Sequence, residues 1–163
     1  MASKAIFLDR DGVLVDNSKH YYIWNADQLN LIDGIAENLK MLLQKGFKLF
    51  IVSNQGGISR GKYTKKDIIN LHDELTRTFQ LNGIEITDII FCPHHPDIEK
   101  CLCRKPDSLM LEKLIAKHKI DKASSFFIGD SQSDMEAAAN AEINGIQIVP
   151  NKNMYPFILS LLK

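Results

Sequence analysis

The sequence has 163 residues, 45% of them apolar and 25% charged, and its 20 basic side chains balance its 20 acidic ones. This length suits one domain, residues 1–163, and excludes two full ones, while the zero net charge provides no overall field for nucleic acid or an anionic membrane. No apolar run reaches the length of a membrane span and residues 1–4 lack a signal-peptide pattern, so we expect a cytoplasmic protein with no membrane partner.

The first predicted strand is the apolar run at residues 5–8, which leads into Asp9, Arg10, Asp11 and Gly12. Open α/β sheets bind ligands at the carboxyl ends of their strands, and alternate residues of an extended chain share a face. Asp9 and Asp11 are therefore expected side by side, where their charges repel unless a cation or a shared proton compensates. An ordinary turn is the alternative, because Asp and Gly are common turn residues.

Residues 16–30 are polar and aromatic without clear periodicity, which predicts a surface loop near the two aspartates. This loop either contacts a ligand or only packs its aromatic side chains against the body of the protein. A helix is predicted at residues 35–45, ended by Gly46, and a second strand at 47–52. A hydroxyl, two amides and two glycines follow that strand and suit an anion, although a plain polar loop is the alternative: Ser53, Asn54, Gln55, Gly56 and Gly57.

A third strand, predicted at residues 84–91, leads into a loop with the pattern C-x-H-x6-C-x-C. Three thiols and an imidazole satisfy tetrahedral Zn2+ and leave no open position, which indicates a structural zinc site on Cys92, His94, Cys101 and Cys103. His95 is the alternative to His94 as the fourth ligand, and a reduced loop without metal is the alternative to a zinc site.

Before the third strand, a helix is predicted at residues 65–81, after Thr64. His72 is expected to be a surface or packing residue of this helix, whose apolar stripe is Ile68, Ile69, Leu71, Leu75 and Phe79.

Arg104 and Lys105 follow the cysteine loop directly. A cation pair fixed by a metal loop suits a phosphoryl group, whereas a surface basic pair is the plainer explanation. A fourth strand delivers Asp130, and Asp134 opens the next helix, although Asp is also an ordinary helix cap. The remaining predicted elements are a helix to residue 118 capped by Asp107 or Ser108, strands at 125–128 and 145–149, and helices at 135–141 and 155–162.

The alternation of strands and helices predicts an α/β fold, a parallel sheet with helices on both faces, so the polar strand ends should meet at one edge. They bring together carboxylates that suit Mg2+, namely Asp9, Asp11 and Asp130, and phosphate-binding groups, namely Ser53, Asn54 and Lys105. This combination indicates phosphoryl transfer. The chain lacks both G-x-x-x-x-G-K-[ST] and G-x-S-x-G, which disfavours a P-loop nucleotidase and a serine hydrolase.

These strand ends resemble, in the same order and over nearly the whole chain, the four motifs of the haloacid dehalogenase superfamily of phosphatases: Asp9-x-Asp11-Gly12, Ser53-Asn54, Lys105 and Gly129-Asp130-x-x-x-Asp134. Further motifs are similar to the branch of heptose bisphosphate and histidinol-phosphate phosphatases, and the loop 55–61 favours the heptose side: Phe7-Leu8-Asp9-Arg10-Asp11-Gly12, Ser53-Asn54-Gln55-x-Gly57-Ile58-x-Arg60-Gly61, Cys92-Pro93-His94-His95-Pro96 and Cys101-x-Cys103-Arg104-Lys105-Pro106. The resemblance implies a three-layer Rossmann-like sheet with a zinc loop, at about 92–103, instead of a large cap domain.

The resemblance also implies a role for each matching position. Asp9 is the nucleophile that forms an aspartyl-phosphate, and Asp11 is first the general acid and then the base. Mg2+ binds Asp9, the backbone carbonyl of Asp11, and Asp130; Ser53 and Lys105 hold phosphate oxygens, and Asp134 supports Lys105 or the outer shell of the metal. The residues expected to bind substrate are Asn17, Ser18, Lys19, His20, Asn54, Gln55, Gly56, Arg104 and Ser131.

We therefore expect a Mg2+-dependent phosphomonoesterase with a structural Zn2+, monomeric, acting on a small phosphorylated sugar. The expected substrate is heptose 1,7-bisphosphate at its terminal phosphate, in the synthesis of surface-glycan (lipopolysaccharide) precursors. Val13 and Ser131 depart from the heptose pattern, which usually has threonine and lysine there, so a histidinol-phosphate or other sugar-phosphate phosphatase is the alternative. The balanced charge disfavours a nucleic-acid end phosphatase, and the intact acidic motifs disfavour a zinc-stabilised module that only binds.

Overall fold

The computed structural model describes residues 2–163 and contains a sheet of five parallel strands. The strands are β1 (Ala5–Leu8), β2 (Lys48–Asn54), β3 (Asp88–Cys92), β4 (Phe126–Gly129) and β5 (Asn144–Gln147). The helices are α1 (Ile35–Gln44), α2 (Lys65–Leu81), α3 (Leu109–His118), α4 (Gln132–Asn140) and α5 (Tyr155–Leu162), with a short 3-10 helix at Ala26–Gln28. No helix within residues 2–163 is both long enough and apolar enough to cross a bilayer.

The strand order is β3-β2-β1-β4-β5, so β1 lies in the centre of the sheet. It pairs in parallel with β2 on one side, Leu8 opposite Ile51, and with β4 on the other, Leu8 opposite Ile128. All the strands run in the same direction, and their carboxyl ends therefore lie at one edge. The parallel α/β sheet predicted from the sequence is confirmed.

Each face of the sheet is covered by its own hydrophobic core, because alternate strand residues point to opposite sides. Ile6 and Leu8 belong to the core that includes side chains of α1, α2 and α5. Phe7 and Val52 belong to the other core, with side chains of α3 and α4. Burial on both faces explains why these strands are continuously apolar rather than alternating, and it produces the predicted three layers.

Helix α2 begins after Thr64 as predicted, where the Thr64 hydroxyl accepts a hydrogen bond from the Asp67 amide and the Asp67 side chain reciprocates. Its apolar stripe is wrong at Ile69, which is 43% exposed. His72, expected at the surface or in packing, is buried on this helix. The bounds of α5 agree with the prediction.

The start of α4 differs from the prediction of residues 135–141. The helix begins at Gln132, and Ser131 is its N-cap residue, with Asp134 as the third helical residue. Ser131 and Asp134 form a capping box, in which each side chain satisfies the backbone N–H of the other. Ser108 precedes α3 as predicted, but its side chain makes no capping hydrogen bond. Strand β2 continues through Ser53 and Asn54, and β3 begins at Asp88 rather than at residue 84.

Candidate active site

Lys105 lies between two carboxylates at the carboxyl edge of the sheet. Its Nζ is 2.9 Å from Oδ1 of Asp9, which follows β1, and 2.6 Å from Oδ1 of Asp134 on α4. The same ammonium donates a hydrogen bond of 3.0 Å to the carbonyl oxygen of Val52. Burial lowers the pKa of Lys105, but Asp9 and Asp134 more than compensate and hold it above its usual value. Lys105 is therefore a fixed positive charge in a nearly water-free position.

Three carboxylates cluster at this edge, Asp9, Asp130 and Asp134, with one oxygen of each within 4.8 Å of the others. Burial raises the pKa of Asp9 well above its usual range, and the neighbouring carboxylates add to this while Lys105 opposes it. Burial and the charge of Asp134 likewise raise the pKa of Asp130. One ammonium does not balance three acidic groups, so a hard divalent cation such as Mg2+ fits the oxygen atoms that Asp9 and Asp130 present.

The side chain of Asp11 has a different partner. Arg10, which is fully buried, donates from Nε to Oδ1 of Asp11 at 2.8 Å and from Nη2 to Oδ2 at 2.9 Å. The Asp11 carboxylate is thus held by an arginine fork and lies outside the cluster of three. Its expected contribution to the metal is the backbone carbonyl, which stays a prediction. Sequence reasoning missed Arg10, although a basic residue between two acidic ones was visible.

A buried hydrogen-bonded chain lies beside Asp11. The Gln55 amide donates to the Ser53 hydroxyl at 2.7 Å and approaches Oδ2 of Asp11 at 3.4 Å. Tyr63 donates its hydroxyl hydrogen to the Gln55 Oε1 atom at 2.8 Å, and burial raises the pKa of Tyr63 to about 12. Gln55 is therefore held beside Asp11, and Ser53, a predicted phosphate-binding residue, is buried with its hydroxyl accepting from Gln55. Tyr63 is a member of this chain that the sequence did not indicate.

Asn54 fixes the backbone of Lys105. Its Oδ1 accepts a hydrogen bond from the Lys105 amide at 3.0 Å, and its Nδ2 donates to the Lys105 carbonyl oxygen at 3.1 Å. The end of β2 thus holds the residue that carries the central ammonium. The sequence predicts that Asn54 binds substrate, and the structure gives it this positioning contact as well.

Two cavities adjoin at this edge of the sheet. The carboxylate cavity, about 220 Å3, is lined by Asp9, Asp11, Asn17, Asn54, Lys105, Asp130, Ser131, Ser133 and Asp134. The aromatic cavity, about 120 Å3, is lined by Asp11, Tyr21, Tyr22, Asn54, Gln55, Gly56, Tyr63, His95 and Arg104. Among residues 2–163, only Asp11 and Asn54 line both cavities, so these two residues form the shared wall.

The residues expected to bind substrate separate into three groups. Four of them line the aromatic cavity, namely Asn54, Gln55, Gly56 and Arg104. Asn17 and Ser131 line the carboxylate cavity, where the Ser131 hydroxyl is engaged with Asp134 at the start of α4. The structure does not bring Ser18, Lys19 or His20 to the lining of either cavity, and Ser18 and Lys19 are exposed.

The loop after β3 gathers the four predicted zinc ligands. The Cys92 Sγ atom lies 2.9 Å from Sγ of Cys103 and 3.6 Å from Sγ of Cys101, and Nδ1 of His94 lies 3.2 Å from Sγ of Cys103. His95 stands apart, because its Nδ1 accepts a hydrogen bond from the backbone of Asp97. Three thiols and one imidazole fit a closed tetrahedral site, so Zn2+ suits this group and would be structural.

This loop also places the basic residue next to Lys105. Arg104 follows Cys103 directly, and its Nη1 donates to the carbonyl oxygen of His94 at 3.0 Å. A Cβ atom on Gly56 would lie 3.0 Å from the same Nη1, which makes Gly56 the residue that leaves room for the guanidinium. The arginine therefore borders the aromatic cavity from a position that the cysteine loop determines.

A carboxylate can accept a phosphoryl group covalently, and a fixed ammonium beside it can stabilise the charge on that group; Asp9 and Lys105 provide both at this sheet edge. The chain belongs to the haloacid dehalogenase-like hydrolases, whose family profile matches residues 9–148. The resemblance that the motifs indicate is thereby confirmed.

Three similar proteins are named as phosphatases of heptose 1,7-bisphosphate. The chain is 40% identical over 149 residues to D-glycero-alpha-D-manno-heptose-1,7-bisphosphate 7-phosphatase of Campylobacter jejuni, covering 91% of this chain and 84% of that protein. It is 39% identical over 145 residues to D-glycero-beta-D-manno-heptose-1,7-bisphosphate 7-phosphatase of Yersinia pestis, covering 85% and 76%. The crystal structure of D,D-heptose 1,7-bisphosphate phosphatase from B. bronchiseptica, complexed with magnesium and phosphate, matches with a TM-score of 0.83 and 29% identity over 96% of this chain and 86% of that one.

Proposed function

We propose that this protein is a Mg2+-dependent phosphatase that removes the 7-phosphate of D-glycero-D-manno-heptose 1,7-bisphosphate. The observation that carries the proposal is the contact between Asp9 and the buried Lys105, 2.9 Å apart, beside the acidic groups Asp130 and Asp134. The names of relatives that align over most of the chain support this substrate, and the arginine-bordered aromatic cavity supports a phosphorylated sugar.

In the proposed reaction, an Asp9 carboxylate oxygen attacks phosphorus and the bond to the sugar oxygen breaks, which gives an aspartyl-phosphate. Asp11 gives its proton to the departing alkoxide and then takes one from the water that hydrolyses the intermediate. Lys105 and Ser53 hold the phosphoryl oxygens. Mg2+, held by Asp9, Asp130 and the Asp11 carbonyl, would offset the repulsion between the Asp9 carboxylate and the phosphate dianion.

The two cavities support a division of the substrate between them. The phosphoryl group belongs in the carboxylate cavity with Asp9 and Lys105, and the sugar belongs in the aromatic cavity with Arg104. The bond that breaks then lies at the shared wall, where Asp11 stands. With the substrate divided in this way, a general acid at Asp11 would be within reach of the leaving oxygen, as proton transfer requires.

The test is phosphate release in the presence of Mg2+, with kcat/KM compared for both anomers of heptose 1,7-bisphosphate, histidinol phosphate and a panel of other sugar phosphates. Asp9→Asn is the blank, and Asp73→Asn, an exposed change on α2, is the matched control. We expect a strong preference for a heptose bisphosphate that Asp9→Asn abolishes and Asp73→Asn retains. Preference for another substrate would change the assigned substrate but keep the proposed chemistry. A complete absence of Asp9-dependent phosphate release would contradict the chemistry itself.

We further propose that Cys92, His94, Cys101 and Cys103 hold a structural Zn2+, that residues 1–163 act as a single domain, and that the protein is a cytoplasmic monomer without a nucleic-acid partner. The closed donor set of the cysteine loop supports the zinc assignment. Metal analysis of the purified protein tests the zinc assignment, and sedimentation equilibrium tests whether the protein is a monomer.

A further inference from the structure

Arg10 is a fully buried arginine in which each guanidinium nitrogen has a partner. Besides its two hydrogen bonds to Asp11, its Nη2 donates to the carbonyl oxygen of Ile23 at 2.6 Å, and its Nη1 lies 3.1 Å from Nε2 of His72. A buried guanidinium is costly unless it is paired and hydrogen-bonded, so these contacts define one orientation for the side chain.

His72 meets Arg10 as a hydrogen-bond acceptor. A guanidinium has only donors, and Nε2 of His72 must therefore be unprotonated, with the ring hydrogen on Nδ1. The ring packs edge-on against Phe91, with the two ring centres 5.5 Å apart, and the side chain is buried on α2. Helix α2 thus presents a fixed acceptor to the guanidinium from 62 residues along the chain.

The carboxylate of Asp11 has few other constraints. Within residues 2–163, its remaining side-chain hydrogen bond is with the Gln55 amide at 3.4 Å and is weak. The fork of Arg10 joins both oxygens of Asp11 and therefore sets the plane of the carboxyl group as well as its position. The same carboxyl group forms part of the wall between the two cavities.

We propose that Arg10 is the positioning residue that aims Asp11 at the leaving oxygen, and that His72 fixes Arg10 for this purpose. This inference rests on the proposed function, in which Asp11 is the general acid. A change at Arg10 then affects proton transfer to the sugar oxygen and leaves the binding of the phosphoryl group by Asp9 and Lys105 intact.

The experiment compares two leaving groups in single-turnover measurements of alcohol release. A sugar alkoxide needs protonation as it departs, whereas p-nitrophenolate is stable enough to leave without it. Arg10→Lys keeps a positive charge but lacks the fork. We expect it to slow release of the sugar about 100-fold, as misplaced catalytic groups do. The concentration that gives the half-maximal single-turnover rate should be unchanged, and release of p-nitrophenolate should be nearly unaffected. Arg77→Lys, an exposed change on α2, is the control and should alter neither rate.

His72 provides a second, milder pair of variants in case Arg10→Lys does not fold. His72→Gln offers an amide oxygen as acceptor and should retain the sugar rate, whereas His72→Phe offers no acceptor and should lower it selectively. Equal losses with both leaving groups, or a wild-type sugar rate in both Arg10→Lys and His72→Phe, would overturn the positioning role. Failure of the proposed function is a different outcome, because there the wild-type protein itself shows no Asp9-dependent release.

Discussion

Gly12 leaves the space that the carboxylate of Asp130 occupies. Gly12 has a φ of 83°, and a Cβ atom built on it would overlap the Oδ2 atom of Asp130. The glycine after the Asp-x-Asp pair therefore has two reasons to be there: a left-handed backbone, and close approach of the acidic group that follows β4. The turn after β1 and the position of the Asp130 carboxylate are fixed together.

Gly12→Ala should accordingly damage both stability and metal affinity. The left-handed backbone alone costs about 1–2 kcal/mol in the free energy of unfolding, and displacement of Asp130 should raise the Mg2+ concentration needed for half-maximal activity. Gly83→Ala is the matched control, because Gly83 has a φ of 72° with open space around its Cβ position. Urea unfolding and Mg2+ titrations of both variants check this. An unchanged Mg2+ requirement in Gly12→Ala would contradict the steric role.

Asn54→Ala should lower kcat more than it changes KM. It removes both hydrogen bonds that hold the backbone of Lys105, and a shift of the ammonium by about 1 Å can slow the reaction about 100-fold. Steady-state kinetics with the best sugar phosphate measures this, and Asn70→Ala, an exposed change on α2, is the control. If only KM rises, Asn54 acts as a substrate contact alone, and its hold on Lys105 has no catalytic consequence.

The parts of the site that the sequence predicted follow from local rules. Apolar runs that end in acidic or amide residues placed Asp9, Asn54 and Asp130 at strand ends, and parallel topology then brings them together. The spacing of Cys92, His94, Cys101 and Cys103 likewise needs only a loop able to fold back on itself. Residue type together with sheet geometry was sufficient for the strand ends, and residue type together with spacing was sufficient for the cysteine loop.

The parts that the sequence did not predict depend on partners distant along the chain. The burial of Arg10 depends on its hydrogen bonds with His72 and Ile23, which lie 62 and 13 residues away along the chain. The helical pattern of α2 could not distinguish His72 from a surface residue. Ser131 and Asp134 are both common near helix starts, so composition could not decide which one caps α4. The loop at 17–20 has no periodicity, and nothing local indicated which way its side chains point.

His94→Gln and His95→Gln should separate in zinc content. His94 lies with the three thiols, whereas His95 does not, so only the first variant should lose stoichiometric zinc. A metal that binds only the folded protein adds about 4 kcal/mol at a free concentration of about 1,000 times its Kd, so loss of zinc should lower Tm by about 8–16 °C in a domain of this size. Mass-spectrometric metal analysis and thermal unfolding, with and without chelator, check this. Equal zinc in both variants would reject His94 as the fourth ligand.

His72 should make the protein less stable as pH falls below 6.5. Burial and the charge of Arg10 lower the pKa of His72 from 6.5 to about 3. Between these two pH values the unfolded chain is protonated at His72 and the folded chain is not. The contribution of neutral His72 to the free energy of unfolding is therefore complete above pH 6.5 and is lost progressively towards pH 3. Between pH 6.5 and pH 5 this amounts to about 2 kcal/mol. Urea unfolding of the wild type and His72→Gln at pH 7 and pH 5 measures it: the stability difference between the two proteins should shift by this amount in favour of the variant at pH 5, and a difference that stays constant would mean that His72 titrates normally in the folded protein.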